Sequence, residues 1–322
     1  MSFRVSRRDF IATLGAAAAG SLLGARAPDA SALLNSPIDR SFFKRPGSPA
    51  MADIRFGYAA ITWNGDDRAA IDDIASLGFP GIQLRANAIA EFSGNAQAVR
   101  DLLDQRQLKL VALSSGDLDV DAPAEAQLAM HTDHAKFLHG AGGSYLQVIG
   151  ALPKNRTITD DDYRNMGHLL TELGKRTADT GVQVSLHNHM YSLGQSPAEV
   201  DKIFDAVDPR YAKLELDVAH YFAGGGDPAK AIREYRGRLL FLHLKDLVTT
   251  VPGPTNDNHP YRFVELGQGQ VDLPAVFAAL QETQFHGWAV IELDGPTDPS
   301  RTPKQSAEIS KEYVQQKLGY TI

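Results

Sequence analysis

The run VQVSLHNH, residues 182–189, sets His187 and His189 two positions apart at the end of an apolar segment. Side chains on a strand repeat their direction every two residues, so both imidazoles project to one side of it. Whether they hold a metal, face a substrate or pack in a polar corner depends on where that strand sits. Downstream, PAEVDKIFDAV (197–207) reads as a helix, AKLELDVAH (212–220) as a strand, PAKAIREY (228–235) as a helix and RLLFLHLKD (238–246) as a strand. After a long loop come the helix DLPAVFAALQET (272–283), the strand GWAVIELD (287–294) and a last helix over about 304–317. Upstream, IRFGYAAI (54–61) is a strand, and DRAAIDDIASLG (67–78) is a helix with Asp66 as acidic N-cap and a glycine stop. The strand GIQLR (81–85) and the helix AQAVRDLLDQRQ (96–107) follow, then LKLVALSS (108–115) and a helix over about 124–139. SYLQVIGA (144–151) and a helix over about 161–180 complete the series.

Eight strands alternating with helices within about 250 residues predict one α/β domain over 54–322, a closed (β/α)8 TIM barrel. A doubly wound nucleotide-binding sheet would need a glycine-rich turn after its first strand. Only the isolated Gly65 and Gly78 follow Ile61, and GAGG (140–143) precedes its strand instead of following one.

Composition narrows the chemistry. A hydrophobic fraction of 43% and a charged fraction of 22% are those of a globular chain. The net charge of -7 and the lack of a dense Lys/Arg stripe argue against a nucleic-acid partner. With no cysteine, disulfides, thiolate nucleophiles, iron–sulfur clusters and thiolate–zinc sites are excluded. At the N-terminus, Arg4, Arg7 and Arg8 precede a small-residue apolar run over 11–24. SRRDFI (6–11) is similar to the twin-arginine export motif of bacteria. Residues 1–30 are therefore expected to be a signal peptide read by the twin-arginine machinery, and 31–53 a linker. The mature protein is expected to be periplasmic or otherwise exported.

The active face of such a barrel lies at the C-terminal strand ends. His187 and His189 end the fifth strand, Asp217 and His220 the sixth, His243 and Lys245 the seventh, and Glu292 and Asp294 the eighth. Imidazoles mixed with carboxylates suit one divalent Mn, Fe, Co or Zn ion better than Ca. The expected ligands are His187, Asp217, His243 and Glu292. The alternative is structural: Asp217 caps a loop, His243 bonds a backbone carbonyl, and HNH packs in a polar network.

HNHM, LDVAH (216–220), HLKD (243–246), GQGQVD (267–272) and GWAVIELD occur in an order that resembles the xylose-isomerase-like sugar isomerase and epimerase superfamily, with particular similarity to its inosose dehydratase branch. The resemblance spans residues 54 to about 316. It implies a divalent metal on Asp217, His243 and Glu292, with His187 at a strand end where relatives often carry Glu. That exchange weakens a two-carboxylate epimerase reading. It leaves isomerisation of a non-phosphorylated sugar or keto-sugar through an enediolate as the first expectation. A lyase or dehydratase acting on a keto-sugar, 3-keto-glycoside or inosose, and a non-catalytic carbohydrate-binding protein, are the alternatives. Glu292 is the first candidate base and His189 its rival, while His220 and Lys245 are expected to orient substrate oxygens or donate protons. Trp63, Asn64, Arg85, Asn87 and Glu265 are candidate contacts to a small carbohydrate, with plain packing an equal reading for Trp63.

Overall fold

The computed structural model describes residues 52–249 and 260–322. The expected signal peptide, all but the end of the expected linker, and residues 250–259 of the long loop after the seventh predicted strand lie outside the described residues. The linker was expected to reach residue 53, but Asp53 already opens the first strand.

In chain order the elements are β1 (Asp53–Ala59), α1 (Asp67–Ser76), β2 (Gly81–Arg85), α2 (Asn87–Glu91), α3 (Ala96–Gln105) and β3 (Lys109–Leu118). Next come α4 (Ala124–Gly140), β4 (Tyr145–Gly150), α5 (Asp160–Thr177), β5 (Gln183–His187), α6 (Pro197–Ala206) and β6 (Ala212–Asp217). The series ends with α7 (Val218–Ala223), α8 (Pro228–Glu234), β7 (Leu239–Leu244), β8 (Asp246–Val248), β9 (Arg262–Val264), α9 (Leu273–Glu282), β10 (His286–Ile291) and α10 (Pro303–Gln316). Eight parallel strands close into a barrel in the order β1, β10, β7, β6, β5, β4, β3, β2. The barrel is the predicted one, with β10 as its eighth strand. It closes where Gly57 of β1 pairs in register with Val290 of β10.

Three local departures matter for the site. The sixth strand stops at Asp217 because its side chain accepts from His220 N at 2.8 Å and starts the short helix α7. His220 therefore sits on a helical turn and not on a strand. The seventh strand stops at Leu244, and β8 pairs antiparallel with β9 to make a small hairpin beside the barrel mouth. The segment expected as an irregular loop thus contains paired backbone at its ends. The fifth strand stops at His187, which leaves His189 on the connection that follows.

Inside the barrel the side chains change character with height. The floor is apolar: Val111, Phe241, Trp288 and Val290 belong to one buried cluster, and Tyr145 stacks on Phe241 with ring centroids 5.1 Å apart. Gly81 is required there, since a Cβ at that position would lie 2.4 Å from the Trp288 ring. Two residues further along the same strand faces, the apolar groups give way to polar ones. Phe241 is followed by His243, and Val290 by Glu292. A second, larger apolar cluster between strands and helices supplies most of the core and leaves the barrel mouth to chemistry.

Candidate active site

His187, Asp217 and His243 bring one ligand atom each within 4.8 Å of the others, and all three are buried. They come from β5, β6 and β7, which are neighbours in the barrel, so their proximity follows directly from strand order. Glu292, just beyond β10, extends the group: its Oε2 lies 3.3 Å from His243 Nδ1, and Asp217 Oδ2 lies 3.8 Å from the same nitrogen. Asp217 Oδ2 and His243 Nδ1 are buried without a hydrogen-bond partner. Buried polar atoms are rarely left so, and two of them facing one point with a further carboxylate beside them fit a cation. The cluster can chelate a single divalent ion.

A second set, His187, His189 and His220, also lies within 4.8 Å. Its wiring does not suit a metal. His220 Nδ1 accepts from Met190 N at 3.2 Å, so a neutral ring carries its hydrogen on Nε2 and has no lone pair to offer there. The carbonyl of the same residue faces His189 Nδ1 at 2.6 Å, which makes that nitrogen the donor and leaves Nε2 of His189 as an acceptor. The backbone of one residue, Met190, thus sets both tautomers. The ring centres lie 3.8 Å apart with the planes tilted by 39°, and His220 Nε2 is buried without a hydrogen-bond partner.

Lys245 follows β7 and is buried, with Nζ 2.9 Å from Glu292 Oε1 and 2.6 Å from Asp294 Oδ1. Phe263 of the hairpin covers it, the ammonium lying 3.8 Å from the ring centre. Burial opposes the charge on Lys245, but Asp294 and Glu292 outweigh it and raise its pKa. Burial would likewise raise Glu292, yet His243 and Lys245 pull it well below the usual carboxylate range. For His243 the carboxylates Glu215 and Glu292 overcome burial and raise the ring. Burial pushes Asp217 up, and burial with the nearby cations lowers His220 well below its usual value and His189 to about 3.

The remaining expected contacts divide. Asn64, Arg85, Asn87 and Ser114 line a cavity of about 410 Å³. Its walls come from the ends of β1, β2 and β3, which lie across the ring from β5, β6 and β7. Arg85 stands two residues after Gln83 on β2, hence on the same face and one layer nearer the mouth. Trp63 is buried, and its Nε1 donates to Asp73 Oδ2 at 2.9 Å, so its ring belongs to the packing around α1. Glu265 is also buried, receiving Arg301 at 3.0 Å and Ser306 at 2.9 Å. Both bonds go to Oε1 and tie the end of β9 to α10, while Oε2 is buried without a hydrogen-bond partner.

Strand parity with Asp217 puts Glu215 one layer deeper in the barrel, as a partner for Lys213 or for another barrel-interior group. Among the described residues no ion pair joins it to Lys213; Glu215 Oε1 lies 2.8 Å from His243 Nε2 instead. Gln83 and Gln147, which complete this layer, were missed altogether. Their signal was parity alone, each standing on the inner face of its strand beneath the mouth. GQGQVD also has a definite role. Backbone N–H groups of Gly267, Gly269 and Val271 donate to the Asp246 carboxylate, at 3.0, 2.9 and 3.1 Å. A Cβ on Gly269 would lie 2.1 Å from that carboxylate. The loop is an anion nest filled by the protein's own aspartate, which leaves it no phosphate to bind.

The chain belongs to the family described as xylose isomerase-like TIM barrels, which it matches over residues 71–313. It is 26% identical over 292 residues to an inosose dehydratase of Lacticaseibacillus casei, covering 81% of this chain and 96% of that protein. Against an inosose dehydratase of Bacillus cereus (strain AH820) the identity is 25% over 297 residues, covering 83% and 98%. Among solved structures, the IOLI protein with a bound zinc atom superposes with a TM-score of 0.71 at 18% identity, covering 83% of this chain and all of the other. The fold and its buried His/Asp cluster are those of a metal-assisted, carbohydrate-processing enzyme.

Proposed function

We propose that this protein is a divalent-metal-dependent lyase that eliminates water or a glycosidic group from a keto-sugar, 3-keto-glycoside or inosose. The observation that carries this reading is the His189–His220 pair, one ring wired as acceptor and the other as donor, beside the cluster. Its relatives among the inosose dehydratases support elimination over the isomerisation expected first.

His187, Asp217, His243 and Glu292 would hold the ion. When bound, it would polarise the substrate ketone and so acidify the adjacent C–H. Every other role falls to side chains. Glu292 is poorly placed as the base, since Oε1 accepts from Lys245 and Oε2 faces His243. His189 has a free acceptor nitrogen and is neutral at physiological pH, its pKa being lowered to about 3 by burial and by His187 and Lys245. So weak a base takes only an acidified proton, and one next to a polarised ketone qualifies. His189 Nε2 accepts that proton, and the electron pair of the C–H bond forms the enolate. The pair then closes a C=C bond as the C–O bond to the β-substituent breaks. The imidazolium returns its proton to the departing oxygen, so the net products are an unsaturated ketone and water or an alcohol. His220 Nε2–H donates to a substrate oxygen, and Lys245 keeps the carboxylates in place. Arg85, Asn64 and Asn87 bind the part of the substrate that reaches across the mouth. We further propose, from SRRDFI, that the precursor is exported by the twin-arginine route.

The test is a comparison of metal-loaded His189→Ala and Glu292→Gln. Loss of turnover by about 10² or more in His189→Ala, with metal retained, supports the assignment. Near-wild-type turnover in His189→Ala would remove it from that role.

A further inference from the structure

One carboxylate beneath the cluster touches both of its imidazoles. Glu215 stands two residues before Asp217 on β6, so it enters the barrel on the same face and one layer nearer the floor. It is fully buried, and no lysine or arginine reaches it among the described residues. Its Oε1 lies 2.8 Å from His243 Nε2 and 3.3 Å from His187 Nδ1. Its other neighbours are neutral donors: Gln147 Nε2 at 3.2 Å on Oε1 and Ser185 Oγ at 3.4 Å on Oε2. Gln147 in turn accepts from Gln83 at 3.0 Å, and Gln83 Oε1 lies 2.8 Å from the same His243 nitrogen. With no lysine or arginine beside it among the described residues, the buried carboxylate depends on the two imidazoles for its charge balance, and its position against two metal-binding rings calls for a reason.

We propose that Glu215 is the positioning carboxylate of the metal centre, fixing His243 and backing His187 from below. This rests on the reading of the cluster as a metal site. His243 Nε2 faces two acceptors, the oxygens of Glu215 and Gln83, so that nitrogen carries the hydrogen. The Nδ1 lone pair is thereby directed to the side where Asp217 Oδ2 and Glu292 Oε2 stand 3.8 and 3.3 Å away. The charge on Glu215 makes the ring a stronger donor to an ion, which a neutral amide cannot do to the same degree. At His187 the 3.3 Å contact is not a hydrogen bond, so the carboxylate acts on that ring through its charge. The glutamines hold the carboxylate in register without neutralising it.

The test uses full-length protein stripped by a chelator and titrated with zinc by calorimetry, with thermal unfolding of the metal-free forms in parallel. Glu215→Gln is expected to lower zinc affinity by about 10- to 100-fold. Its metal-free form is expected to melt below the metal-free wild type, because the exchange takes the carboxylate out of a buried pair with His243, so the affinity and not the melting temperature decides the role. Glu215→Asp, which keeps the charge but shortens the reach, is expected to retain more affinity than Glu215→Gln. Zinc affinity equal to wild type in both variants would overturn the proposal. So would a lowered melting temperature in Glu215→Gln with unchanged affinity, the outcome of a purely structural role. A wild type that takes up no zinc would overturn the metal reading, and this proposal with it, and shows as a blank titration before any variant is compared.

Discussion

The ammonium of Lys245 lies 2.9 Å from Oε1 of Glu292, inside the barrel mouth and out of water. It balances a carboxylate that otherwise stands next to Asp217, and it anchors Asp294 as well. Lys245→Met should therefore leave buried negative charge without its counter-ion. The expected cost is about 3–5 kcal/mol in the metal-free protein, the range found when one partner of a buried pair is removed. Thermal unfolding with and without excess divalent metal checks this, and the deficit should narrow when metal is present. Equal melting temperatures for wild type and variant without metal would show that the pair contributes nothing.

Asp217 has two separable jobs. Oδ1 caps α7 by accepting from His220 N, while Oδ2 is the partnerless oxygen at the cluster. Asn caps helices as well as Asp does but offers no charged oxygen. Asp217→Asn should then lose metal affinity by at least about tenfold, on the scale of a charge-assisted contact, with little change in metal-free stability. Elemental analysis after reconstitution gives the answer, and full metal retention would contradict Asp217 as a ligand.

A different titration governs stability. Asp67 is buried at the start of α1, accepts from Asn87 at 2.8 Å, and has its pKa raised to about 7 by burial and by the charge of Glu91. An unfolded aspartate ionises near 4, so between about pH 4 and 7 the folded chain holds a proton that the unfolded chain has released. Stability from this group is greatest below pH 4 and is lost as pH rises through 7. The difference in melting temperature between Asp67→Asn and wild type should grow over that window in favour of the variant. A difference that stays flat from pH 5 to 8 would contradict the shift.

These sites were legible in the sequence to different depths. His187, Asp217, His243 and Glu292 each close an apolar run, and the alternation of strands with helices is enough to place such ends on one face of a barrel. The LDVAH segment held a further signal, since an acid three residues before His220 is an N-cap spacing, yet the run was read as continuous strand. Glu215 was legible as an inward group one layer below Asp217, but its partner, like the roles of Gln83 and Gln147, lies in which strands meet in the interior. Side-chain parity puts them inward but says nothing of the partner. Trp63 was open between pocket wall and packing until its bond to Asp73 was seen.

Export is a separate prediction and concerns residues outside the described structure. Replacing Arg7 and Arg8 by lysine keeps the charge and removes the paired guanidinium groups of SRRDFI. Precursor should then accumulate in the cytoplasm, followed by cell fractionation and N-terminal mass analysis. Unchanged export of the double-lysine form would contradict the twin-arginine assignment.

The most direct test of the central claim is the mass of the product. Metal-loaded protein is incubated with inososes, free keto-sugars and 3-keto-glycosides, and the products are weighed by mass spectrometry. Elimination predicts, for at least one of these, an unsaturated ketone lighter than the substrate by one water or by the glycosidic alcohol, with none formed by metal-free protein. Conversion of the accepted substrate only to an isomer of unchanged mass would contradict the lyase reading.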